Sequence, residues 1–122
     1  MKETALIIED DEDLSNIFAE ALHGIGYEVE QVADGKKAQD RLQEGTPPYL
    51  ILLDMHLPHV SGGDILTRII KPDKKFKGTT IIITTADARA GDTYRDQVDF
   101  VMIKPISFVQ LRDLSSRLKP KK

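Results

Sequence analysis

Tyr49-Leu50-Ile51-Leu52-Leu53-Asp54-Met55-His56-Leu57-Pro58 is the stretch on which the reading of the chain turns. Thr46-Pro47-Pro48 breaks whatever precedes it, and the run from Tyr49 to Leu53 is then apolar at every position. A strand with one solvated face would alternate, so an unbroken apolar run that stops on an aspartate points to a parallel strand buried on both faces and ending at a polar rim. Parallel strands need helical crossovers, so the neighbouring sequence must supply helices.

Working outward, Ala5 to Ile8 is a second run of this kind, halted by Glu9-Asp10-Asp11. Leu14, Ile17, Phe18, Ala21, Leu22 and Ile25 follow at helical spacing, with Asp13 placed to cap the start and Gly24 and Gly26 marking the end. Tyr27 to Val32 alternates as a strand does, Asp34-Gly35 turns, and Lys36 to Gln43 sets Ala38 and Leu42 on one face of a short helix. Beyond Asp54, a loop with Pro58 and Gly62-Gly63 leads to a helix carrying Ile65, Leu66, Ile69 and Ile70. Pro72 and a lysine-rich surface turn precede a fourth strand, Thr80 to Thr84. Asp87 to Gln97 has few apolar residues at helical spacing, so a fourth helix there is expected to be short or irregular. Phe100 to Ile103 is the fifth strand, Lys104-Pro105 closes it, and Phe108, Leu111, Leu114, Ser115 and Leu118 mark a last helix capped by Ser107.

The expected fold class is therefore α/β: a doubly wound, five-stranded parallel sheet with helices on both faces. The 122 residues suit one domain, residues 1–122, with 118–122 as a tail or linker stub. A net charge of -3 argues against a general nucleic-acid or membrane surface, which would need clustered Lys and Arg. Lys71 to Lys77 reads as a solvated turn, and His23 and His59 have no partners that suggest metal or catalysis. Without cysteine there is no disulfide framework and no thiol nucleophile, and with no stretch long enough to span a membrane the expected compartment is the cytoplasm.

In open parallel sheets the site lies beyond the carboxyl ends of the strands, at the point where strand order reverses. Glu9, Asp10, Asp54, Thr85 and Lys104 are the residues ending the first, third, fourth and fifth strands, and they should converge. Three carboxylates gathered there repel one another unless a cation neutralises them. Oxygen ligands without His or Cys favour Mg²⁺, or Mn²⁺ in its place. A carboxylate beside such an ion can attack phosphorus while an ammonium and a hydroxyl share the charge on the transferred oxygens, roles that Asp54, Lys104 and Thr85 can fill.

From about Ala5 to Leu118 the chain resembles the CheY-like receiver domains of two-component response regulators. Ile8-Glu9-Asp10-Asp11, Leu52-Leu53-Asp54-Met55-His56-Leu57-Pro58 with Gly62 following, Thr84-Thr85-Ala86 and Lys104-Pro105 carry the resemblance, in the family's order. It implies the flavodoxin-like strand order 2-1-3-4-5, with Asp54 as phosphoacceptor. Asp10 and Asp54 would bind Mg²⁺ directly, Glu9 through water, and His56 by its backbone carbonyl. Thr85 and Lys104 would hold phosphoryl oxygens, and Pro105 would follow a cis peptide bond. The implied partners are a sensor histidine kinase or phosphotransfer protein, a downstream effector protein or domain, and a second copy through the face formed by the fourth helix, fifth strand and fifth helix. Direct binding of nucleic acid or membrane is not implied.

Two departures fall on that face. Val101 stands where the family carries Tyr or Phe, and Phe100 precedes it, so either the aromatic switch is absent or the fifth strand is shifted by one residue; absence is the preferred reading. The stretch from Thr85 to Lys104 is also short and lacks the usual Gly-Ala before the fifth strand, which points to an altered output surface over a complete acceptor site. Against a phosphorylation-controlled switch stand two other functions. One is an interaction module that keeps the fold without the chemistry. The other is a hydrolase with an aspartyl-phosphate intermediate, disfavoured because such enzymes place a second aspartate two residues after the nucleophile, where this chain has His56. His56 and Asp87, each two residues beyond a site residue, occupy positions that tune water attack in the family.

Overall fold

A computed structural model describes residues 3–118, so the expected tail at Lys119 to Lys122 lies outside the described residues. The strands are β1 (Thr4–Ile8), β2 (Glu28–Val32), β3 (Leu50–Asp54), β4 (Thr80–Thr85) and β5 (Phe100–Ile103). All pairings are parallel, in the order β2-β1-β3-β4-β5. The runs read as buried strands are buried: every residue of β3 is enclosed, as are Ala5 to Ile8 in β1. The edge strands differ from them and from each other. β2 sets Glu28 and Gln31 in solvent, whereas β5 leaves Phe100 and Ile103 partly exposed.

Helices α1 (Glu12–Gly24) and α5 (Phe108–Leu118) cover one face. They enclose a core of Ala5, Ile7, Phe18, Leu22, Tyr27 and Leu52, among others. Ser107 caps α5 as expected, its hydroxyl accepting from the Gln110 N–H at 3.0 Å. The cap of α1 is Asp11 and not Asp13: its carboxylate accepts from the Leu14 N–H at 3.1 Å, because the helix begins at Glu12. Ile17, counted on the apolar face from its spacing, is 41% exposed and sits on the outer edge of that face.

The other face is less regular. α2 (Gly35–Gln43), capped by Asp34, is an ordinary short helix. The third helix, α3, makes one α turn at Gly62–Asp64 and continues as a π-helix over Ile65–Ile70, so that its last amide, Lys71, bonds back to Leu66. The lysine-rich turn contains a 3₁₀ turn, Lys74–Phe76, that buries Phe76 in the core. α4 is the short helix expected, Ala88–Tyr94, running into a 3₁₀ turn at Arg95–Gln97. Gly91 lets α4 lie close to the sheet, since a Cβ there would stand 2.8 Å from Cγ1 of Val101. Val101 packs into this core while Phe100 stays at the surface, so the strand has not shifted and no aromatic occupies that position.

Candidate functional site

The sheet's own hydrogen bonds run past the strand ends and hold the candidate residues in place. Glu9 N–H donates to Val32 O at 3.1 Å, Met55 N–H to Thr84 O at 3.0 Å, and Lys104 N–H to Thr85 O at 2.8 Å. Glu9, Asp54 and Thr85 are thereby buried at one edge of the sheet, and Asp10 lies beside them in solvent. The carboxylates of Glu9, Asp10 and Asp54 each offer an oxygen within 4.8 Å of the others. The backbone of Asp54 is fixed from above by α3, because a Cβ on Gly62 would collide with the Asp54 carbonyl oxygen and with Cα of Met55.

Each Asp54 oxygen has a donor nearby. The His56 N–H gives a hydrogen bond to Oδ1 at 3.0 Å, and the Lys104 ammonium lies 3.4 Å from Oδ2. The ammonium also donates to Glu9 Oε1 at 2.9 Å, and Glu9 Oε2 accepts from the Asp11 N–H at 3.1 Å. Lys104 therefore bridges two buried carboxylates, and the Lys104–Pro105 peptide bond is cis.

Burial is the chief force on Glu9 and pushes its carboxyl up to about 7; Asp54 adds to this and the hydrogen bond from Lys104 opposes it. Burial also works to lower the Lys104 ammonium, but the hydrogen bond to Glu9 and the charge of Asp54 outweigh it and hold the lysine above its ordinary value. The lysine stays cationic, and the cost of burial falls on Glu9.

Thr85 is placed at the site but its hydroxyl faces elsewhere. Oγ1 donates to the Asp87 carbonyl at 3.3 Å and accepts from the Asp87 N–H at 3.0 Å, closing a turn at the start of α4. Asp87 in turn caps α4 through the Arg89 N–H at 2.9 Å. The His56 side chain is exposed, and its contribution to the site is its N–H, which sequence reasoning had not assigned. The residue type carries no signal for a backbone donor. Only its place two residues after Asp54 could have suggested one.

A doubly wound parallel sheet with a carboxylate cluster and a lysine at its strand-order switch places the molecule among the flavodoxin-like α/β proteins. More specifically, residues 5–115 match the response regulator receiver domain, and the chain belongs to that family. Among its relatives is the polar-differentiation response regulator DivK of Brucella ovis, 34% identical over 110 residues, which are 88% of each chain. The probable methanogenesis regulatory protein FilR2 of Methanothrix harundinacea is 30% identical over 124 residues, spanning 93% of this chain and 79% of that one. The chemotaxis response regulator CheY4 of Vibrio cholerae has the same fold, with a TM-score of 0.85 at 21% identity and coverage of 97% and 99% of the two chains.

Proposed function

We propose that the chain is a phosphorylation-dependent switch that accepts a phosphoryl group on Asp54 from a sensor histidine kinase or phosphotransfer protein. One observation carries this reading: a buried carboxylate whose two oxygens face an N–H and an ammonium, with two further carboxylates within 4.8 Å. An Asp54 oxygen forms the new bond to phosphorus as the donor's P–N bond breaks, and the bonding pair leaves with the donor imidazole. The His56 N–H orients the attacking group, and Lys104 pairs with a phosphoryl oxygen once the new charge competes with Glu9 for it.

The donor set suits a divalent cation. All the side-chain ligands are carboxylates, which hard ions prefer, and Glu9, pushed up chiefly by burial and further by its neighbour Asp54, would be relieved by a bound cation. Asp10, Asp54, Glu9 and the His56 carbonyl would hold Mg²⁺ or Mn²⁺, which when bound neutralises charge on the phosphoryl oxygens. Thr85 donates its hydroxyl to one of those oxygens, and self-dephosphorylation by water ends the signal. The output partner is an effector protein or domain, or a second copy, meeting the α4, β5 and α5 face. No described helix is long and apolar enough to cross a membrane. The domain would work in the cytoplasm as a single unit over residues 1–122.

Incubation with acetyl phosphate and Mg²⁺ followed by intact mass measurement tests the proposal. One added phosphoryl group is expected on the native chain and none on Asp54→Asn. If the native chain gains no mass, the switch reading fails and an interaction module on the same fold takes its place.

A further inference from the structure

The short helix α4 touches the rest of the molecule at three points that bear on the site. Its leading end is tied to Thr85 through Asp87. Its middle rests on β5, where Gly91 brings the backbone onto Val101, with Cγ2 of Thr85 3.6 Å from where a Cβ would be. Its trailing residue, Tyr94, lays its hydroxyl over Gly63 of α3, so closely that a Cβ on Gly63 would stand 2.5 Å from the Tyr94 oxygen. Gly63 adjoins Gly62, which is pressed against the Asp54 backbone. The chain thus closes a ring of contacts from Asp54 through α3, Tyr94 and α4 to Thr85 and back to the site.

A hydroxyl carries one proton. For Thr85 to donate it to a phosphoryl oxygen, the Asp87 carbonyl must lose it, and the turn that begins α4 loosens. We infer that Tyr94 reports the state of the Asp54 site at the α3–α4 edge: α4 pivots where Gly91 meets Val101, and the Tyr94 ring leaves Gly63 when Thr85 turns to the phosphoryl group. The inference rests on the switch reading and adds a coupling residue to it. Val101 has no ring to move, and Tyr94 is the aromatic side chain that α4 itself packs against the core on this face, whose other aromatic, Phe76, comes from the lysine-rich turn. Tyr27 and Tyr49 belong to the opposite core and provide internal controls.

The test uses the full chain labelled with ¹³C in its tyrosine rings, treated with acetyl phosphate and Mg²⁺, with intact mass recorded on the same sample. The Tyr94 ring signals are expected to move while those of Tyr27 and Tyr49 stay. If the mass shows a phosphoryl group and Tyr94 does not move, the relay is overturned and the switch reading stands; if no phosphoryl group is gained, both fall. Gly63→Ala pushes the ring away in advance, so the unmodified variant should show Tyr94 signals displaced towards their phosphorylated positions. It should also react with acetyl phosphate about 5-fold faster, as a bias of about 1 kcal/mol towards the competent state would give. Tyr94→Leu should speed the reaction in the same direction. Folded variants that react at the native rate or slower would refute the relay, since a merely structural contact has no reason to favour phosphorylation.

Discussion

On one side of the sheet lie two regular helices, α1 with 13 residues and α5 with 11, closing over a core in which Phe18, Leu22 and Tyr27 are wholly enclosed. On the other side, α3 is mostly π-helix, two 3₁₀ turns interrupt the chain, and α4 has seven residues. Four glycines there, at 35, 62, 63 and 91, stand where a side chain would collide. The candidate site takes residues from the strands between these faces, but the hydroxyl of Thr85 and the turn at Asp87 that it closes belong to the irregular one. Regular packing makes the α1 and α5 face a support, while short and wide turns make the α3 and α4 face a place where rearrangement costs little.

Leu22→Ala is the strongest probe of the supporting face. Truncating a fully buried leucine between α1 and the sheet should cost about 3 kcal/mol of stability, measured by urea unfolding. The rate of reaction with acetyl phosphate below the transition should not change, and a large change in that rate would dissolve the distinction between the faces. Gly62→Ala probes the irregular face where it meets the site. The added methyl has only backbone to displace, so a loss of about 2 kcal/mol is expected, this time with slower phosphorylation because Asp54 moves with its carbonyl.

Tyr27 sharpens the account of the supporting face. Its hydroxyl is buried without a hydrogen-bond partner among the described residues, and burial pushes its pKa up to about 12 from an ordinary value of 10.0. The folded chain holds the proton more tightly than the unfolded chain. That contribution is complete below pH 10 and is lost as pH rises from 10 towards 12, at about 1.4 kcal/mol per pKa unit. Tyr27→Phe should remove this alkaline loss and raise stability at neutral pH by about 1 kcal/mol, since an unpaired hydroxyl no longer has to be desolvated. Thermal unfolding at pH 7 and pH 11 measures both. The smallest effect is expected at Ile17, on the outer edge of the same face: Ile17→Gln should change stability by less than about 0.5 kcal/mol.

Sequence disclosed the strands because each central one is buried on both faces and so is apolar without interruption, and it pointed to the candidate site because β1 and β3 end on acids and the edge strand β5 on a lysine. It disclosed the weakness of α4 because Asp87 to Gln97 offers little to bury. Three things were hidden for physical reasons. Ile65, Leu66, Ile69 and Ile70 have the spacing of an α-helix, and nothing in that pattern tells an i to i+5 ladder from an i to i+4 one. Glu9 to Asp13 are five acids in a row, and three of them, Asp10, Asp11 and Asp13, are aspartates suited to cap a helix, so the choice of Asp11 depended on where the strand released the chain. The hydroxyl of Thr85 and the approach of Tyr94 to Gly63 are contacts made across turns and between helices, and composition says nothing of them.

The sheet has two open edges, and they are not equally guarded. β2 borders water with Glu28 and Gln31, and its Glu30 is paired with Arg41, so a second strand approaching it would have to strip charged and polar groups. β5 presents Phe-Val-Met-Ile with Phe100 and Ile103 already showing, and its backbone pairs on one side only. The risk of aggregation therefore lies at β5, the strand that also supports α4 through Val101. A chain concentrated in solution should be protected first there, and a lysine in place of Phe100 is the change most suited to that end.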